Sequence, residues 1–83
     1  MTITLKLFAT LSKYLPAGAR RNVLSLDVAE GARVGTVLDD LGVPRDQVHL
    51  ALVDGVYVPL EELDARQLKA GETLAVWPPV AGG

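Results

Sequence analysis

The chain has 83 residues, enough for one domain around one small core. Its eight Lys and Arg stand against ten Asp and Glu, a formal net charge of -2 with both signs scattered. That balance excludes the basic stripe of a nucleic-acid binder and the polybasic segment of a membrane anchor.

With no cysteine there is no disulfide framework, thiolate nucleophile or thiolate metal site, which fits a cytoplasmic setting. The chain opens Met1-Thr2-Ile3-Thr4-Leu5-Lys6, already alternating, so no signal peptide is expected. The longest uncharged stretch, Thr73 to Gly83, is too short and too proline-rich to cross a bilayer.

Residues Thr2 to Phe8 place Ile3, Leu5 and Leu7 on one face and Thr4 and Lys6 on the other, a half-buried strand. Phe8, Leu11 and Leu15 then follow helical spacing until Pro16 and Gly18 stop it. Alternation returns over Asn22 to Val28, with Leu24, Leu26 and Val28 on one side. The short connection predicts antiparallel pairing with the first strand.

Val34, Val37, Leu38 and Leu41 make one apolar helix face, and Gly42 and Pro44 end that helix. Its start lacks a good cap. His49 to Val53 reads as a third strand, Asp54-Gly55 as a hairpin turn, and Val56 to Val58 as a short return strand. Glu61 to Ala70 reads as a loop with a helical turn, and Thr73 to Trp77 as the last strand, burying Leu74 and Val76.

A single amphipathic helix needs a sheet to cover. The order strand, strand, helix, strand, short strand, strand therefore predicts an α+β fold of the β-grasp kind: a mixed sheet of four to five strands on one main helix. The domain would span residues 1–77, with a flexible, extended tail over 78–83.

Little in the body is equipped for catalysis. His49, the only histidine, opens a strand and has no acid or nucleophile near it in sequence. The neighbours Asp39-Asp40 and Glu61-Glu62 point in different directions and read as solvated faces. Ser12 and Ser25 lack a nucleophile motif, and no glycine pattern marks a phosphate loop. Arg20-Arg21 serves solubility or docks an acidic partner. By strand parity Trp77 falls opposite Leu74 and Val76, on the face assigned to Ala51 and Val53. There it anchors a partner interface, or else caps the edge of the core.

The tail Pro78-Pro79-Val80-Ala81-Gly82-Gly83 is the stretch with chemical promise. Prolines hold it extended and lower the ordering entropy of insertion into a partner; the glycines remove bulk at its end. Six residues reach roughly 20 Å when extended. A terminal carboxylate is ionised at neutral pH and can attack the α-phosphate of ATP, and adenylation makes its carbon electrophilic. The catalytic assignment is therefore the Gly83 carboxylate.

The sequence resembles the MoaD/ThiS family of ubiquitin-like sulfur carriers. The resemblance runs through Ile3-Thr4-Leu5-Lys6-Leu7-Phe8, the single helix, Val53-Asp54-Gly55, Leu68-Lys69-Ala70-Gly71-Glu72 and the tail. Within that family the ending Trp77-Pro78-Pro79-Val80-Ala81-Gly82-Gly83 is most similar to the small subunits of molybdopterin synthase. Asp54 stands where Asn is more usual, and Trp77 where Phe is.

The resemblance implies a ubiquitin-like sulfur carrier that is not itself an enzyme and binds no cofactor or metal. A ubiquitin-activating-enzyme-like adenylyltransferase would use ATP to adenylate Gly83. A sulfurtransferase or cysteine desulfurase would then supply sulfur for a thiocarboxylate. The large synthase subunit, in a heterotetramer, would bind Trp77 to Gly82 and pass the sulfur to cyclic pyranopterin monophosphate. The alternatives are the same carrier for another acceptor (thiamine thiazole, tRNA thiolation or cysteine synthesis), a ubiquitin-like protein modifier, and a plain interaction module.

Overall fold

The computed structural model describes residues 1–80; Ala81, Gly82 and Gly83 lie outside them. Five strands and one α-helix follow in the order β1 (Thr2–Leu7), β2 (Val23–Asp27), α1 (Val34–Leu41), β3 (Leu50–Val53), β4 (Val56–Tyr57) and β5 (Thr73–Trp77). Short 3-10 helices at Ala9–Tyr14, Arg45–Gln47 and Leu60–Glu62 occupy the connections. The architecture is the α+β β-grasp expected from the sequence.

The strands form one mixed sheet in the order β2-β1-β5-β3-β4. β1 pairs antiparallel with β2 and parallel with β5, and β5 pairs antiparallel with β3. The last strand therefore lies in the middle of the sheet. Two ends come together there: Leu5 sits beside Leu74, and Leu7 beside Val76.

One face of the sheet carries the core. Ile3, Leu5, Leu7, Ala51, Val53, Leu74 and Val76 share a buried cluster with Val34, Val37 and Leu38 of α1. At roughly 1.5–3 kcal/mol for each large buried side chain, this cluster is the main term set against chain entropy. Leu63 and Leu68 from the loop before β5 join it.

Helix α1 begins without a side-chain cap at Arg33. Its orphan donors go instead to that same loop: the Val34 N–H donates to the Arg66 carbonyl (3.0 Å) and the Gly35 N–H to the Leu63 carbonyl (2.8 Å). Gly42 ends the helix at φ 79, the left-handed conformation that a side chain disfavours. No helix among the described residues is long and apolar enough to cross a membrane.

Candidate functional site

The side chains on the other face of the sheet follow from register. Across it run Val23, Lys6, Ala75, Leu52 and Tyr57 in one row, with Leu50 beside Trp77 in the next. Lys6 is the one charged side chain in that row. Tyr57 is 54% exposed and Val23 41%, so apolar surface remains open to solvent here.

This register corrects the sequence assignment of Ala51 and Val53. Ala51 pairs with Val76 and Val53 with Leu74, and directly opposed residues of an antiparallel pair share a face. Both side chains are buried in the core, at 0% and 1% exposure, and are unavailable to a partner. Leu50 and Leu52 hold the positions beside Trp77 and Ala75 instead.

Trp77 is half-buried rather than freely exposed. Its ring stacks on Phe8, with centroids 4.5 Å apart and planes 7° from parallel. Phe8 follows Leu7 immediately, and its N–H donates to the Val76 carbonyl (3.1 Å), which brings it level with Trp77. The Trp77 carbonyl in turn accepts from the His49 N–H (2.9 Å). The sequence places Phe8 at the end of the first strand and at the head of the helical spacing that follows, without linking it to Trp77. The signal was present, because Phe8 continues the Thr4 and Lys6 alternation.

Pro78 is buried, while Pro79 and Val80 are exposed, Val80 to 75%. The chain thus leaves the body after Pro78, one residue later than the sequence boundary. The prolines suit this exit because neither has an N–H to leave unpaired. The residues proposed to carry the chemistry, Gly83 with Gly82 and Ala81, lie outside the described residues.

Elsewhere two arginines gather carboxylates around them. Arg45 donates to both carboxylate oxygens of Asp39 (3.0 and 3.0 Å) and of Asp64 (2.7 and 3.2 Å). These hydrogen bonds hold the Asp64 carboxyl below the usual carboxylate range. Arg66 does the same for Glu72 (2.9 Å), helped by the Lys69 N–H (2.6 Å). Both arrangements tie loops together. Among the described residues, no group of three His, Cys, Asp or Glu side chains is placed to hold a metal ion.

Comparison with known proteins adds the following. Residues 1–82 match the family described as Mut7-C ubiquitin. Small archaeal modifier protein 1 of Haloferax volcanii is similar at 29% identity over 95% of this chain and 98% of that one, with a TM-score of 0.67. A putative molybdopterin converting factor, subunit 1, of Pyrococcus furiosus matches at 24% identity, 95% and 98% coverage and a TM-score of 0.67. The thiamine biosynthesis protein ThiS of Geobacter metallireducens matches at 22% identity over all of both chains, with a TM-score of 0.66. These last two show the shared fold alone. No curated protein matches the sequence.

Proposed function

Because the chain belongs to the Mut7-C ubiquitin family, a ubiquitin-like β-grasp group, we propose that it is a carrier or modifier whose tail is its working part. The body acts as a handle, and the Gly83 carboxylate is the reactive group. An ATP-dependent adenylyltransferase would activate it: a carboxylate oxygen attacks the α-phosphate, pyrophosphate leaves, and the acyl carbon becomes electrophilic.

The observation that carries this reading is the exit of the chain. Trp77 is clamped on Phe8, Pro78 is buried, and the uncharged Pro79 and Val80 that follow stand exposed. Such a segment enters a narrow partner site at low entropic cost, while Leu50, Leu52, Tyr57 and Trp77 offer contact area outside it.

Two fates of the activated carbon are open to this chemistry. Attack by a lysine amine gives an isopeptide, as a protein modifier requires. Attack by the terminal sulfur of a persulfide-bearing sulfurtransferase displaces AMP to give an acyl disulfide, and a second thiol of that enzyme then cleaves the S–S bond, forming a disulfide and releasing the thiocarboxylate. The full-length likeness to a small archaeal modifier protein favours the modifier, or a carrier for an acceptor outside molybdenum cofactor synthesis. Sulfur delivery to cyclic pyranopterin monophosphate in a molybdopterin synthase large subunit is the narrower reading, supported by the Trp77-Pro78-Pro79-Val80-Ala81-Gly82-Gly83 ending.

Intact mass spectrometry tests both. The native protein is first weighed to establish that it ends at Gly83. It is then incubated with ATP, an activating enzyme and a sulfur donor. A mass gain equal to exchange of one oxygen for sulfur supports the carrier, and lysine-linked conjugates in cell extract support the modifier. Neither product from a chain ending at Gly83 sinks the proposal. Loading that persists after deletion of Gly83 sinks the assignment of the reactive group.

A further inference from the structure

The sheet has one long free edge, and it is half closed. Alternate residues of β2 turn their backbone toward β1. The Met1 amino group donates to the Val28 carbonyl (2.7 Å), the Val28 N–H donates to the Met1 carbonyl (2.7 Å), and the Leu7 N–H donates to the Asn22 carbonyl (3.0 Å). By period two, Leu24 and Leu26 also face β1, and Val23, Ser25 and Asp27 face outward. The outward groups of Val23 are already used, since Arg20 and Val23 exchange two backbone hydrogen bonds at 3.0 Å each. Ser25 and Asp27 have no such backbone partner among the described residues.

Beside this open half of the edge lies a groove of about 500 Å³ between β2 and α1. Helix α1 does not reach fully over β2, so Leu26, Val28, Ala32 and Leu41 stay only partly buried along it. Glu30, Asp40 and Arg33 stand exposed on the rim, none in an ion pair among the described residues, so carboxylates outnumber the one cation there. Asp27 adds a third carboxylate, 3.3 Å from the Met1 ammonium.

We propose that this edge and groove together bind an extended peptide of cationic, alternately apolar character by strand addition. The backbone of the peptide pairs with the outward N–H and C=O groups of Ser25 and Asp27. Alternate aliphatic side chains enter the groove over Leu26, Val28 and Leu41, and flanking Lys or Arg side chains meet Glu30 and Asp40. A second copy of this chain paired edge to edge is the alternative occupant, which would show itself as a concentration-dependent dimer. The site is also separate from the tail. β2 runs antiparallel to β1, so Asp27 lies at the end of the sheet opposite Trp77.

The test is an amide chemical-shift titration of the full chain with a blocked peptide of alternating valine and threonine carrying two lysines at each end. Saturable shifts are expected at Ser25, Asp27 and Thr36. Binding should weaken about tenfold in the Glu30→Lys/Asp40→Lys double variant, as expected for opposed rim charges. Ser25→Pro removes an outward donor without touching the β1 ladder and should abolish binding. N-methylation of the peptide at its pairing positions must do the same, a control independent of how the variant folds. Four results overturn the proposal: no saturable shift, shifts centred on Trp77 and Leu52, equal binding of the peptide with glutamates in place of lysines, or a concentration-dependent dimer occupying the same amides.

Discussion

Trp77 and Phe8 lie face to face, 4.5 Å between ring centroids, so the last residue of β5 is held by the residue that follows β1. A stacked aromatic pair contributes about 0.5–1.5 kcal/mol beyond its buried area. A double-mutant cycle of Trp77→Ala and Phe8→Ala, read by denaturant unfolding, should return a coupling in that range. Trp77→Asp should lower thermal stability as well as partner affinity. Tyr57→Ala, at a site half open to solvent, should affect partner capture with less than about 0.5 kcal/mol of stability change. Equal stability losses at Tyr57 and Trp77 would contradict this division.

Asp54 does more than turn a hairpin. Its φ of 50 and that of Gly55 at 81 are the positive pair that a tight two-residue turn requires. Its Oδ1 also accepts from the Thr73 N–H (2.7 Å), and its own N–H donates to the Thr73 carbonyl (2.9 Å), which joins the β3–β4 hairpin to the start of β5. Asp54→Asn keeps both properties and should leave the midpoint of urea unfolding nearly unchanged. Asp54→Ala loses the acceptor and strains the left-handed backbone, at a cost of about 1–3 kcal/mol.

Gly35 sits under the Arg45 bridge. A Cβ there would collide with the Asp64 carboxylate and the Arg45 guanidinium, both at the ends of flexible exposed side chains. Gly35→Ala should therefore displace the Arg45–Asp64 pair rather than the backbone. An exposed pair adds little to stability and replacing a helical glycine adds helix propensity, so the midpoint of urea unfolding should change little. The diagnostic readout is the Asp64 carboxyl, which should rise into the usual carboxylate range by NMR titration. An unchanged Asp64 would show that the cluster tolerates the methyl group.

Asp64 and Glu72 titrate below the usual carboxylate range in the folded protein. The unfolded chain then binds protons more readily. The stability these groups provide is present above the ordinary carboxylate values, near about 4, and is lost as pH falls through the depressed folded values. Thermal unfolding followed from pH 7 downward should show a plateau and then an acid decline. Glu72→Gln should lower the plateau and flatten the decline. An unaltered slope would mean that the Arg66 and Lys69 hydrogen bonds to Glu72 do not survive in solution.

Much of the fold was legible because local rules and burial agreed. Ile3, Leu5 and Leu7 alternate against polar neighbours, Val34, Val37 and Leu38 repeat at helical spacing, and Asp54-Gly55 can hardly be anything but a turn. The face of β3 was not legible. Leu50-Ala51-Leu52-Val53 contains no polar residue to mark the outside, and only pairing with β5 decides that Ala51 and Val53 point inward. Strand order was equally hidden, since the parallel contact of β1 with β5 joins residues from the two ends of the chain. The Arg45 bridge depends on Asp64, 19 residues away, and no local spacing announces it. The place of Trp77 on the face opposite Leu74 and Val76 followed from parity, while the clamp on Phe8 and the burial of Pro78 came from tertiary packing.

The central position of β5 has a consequence for quality control. Without residues 73–77 the sheet has no middle: β2-β1 and β3-β4 remain as two separate hairpins, and the parallel contact that welds them has yet to form. Contacts of such long sequence separation form late, because loop closure precedes their reward. The strand that completes the body is also the one that leads directly into the tail. A chain that misfolds or is cut short of Trp77 therefore presents no ordered exit for that segment, and an activating partner that grips body and tail together would meet only finished molecules.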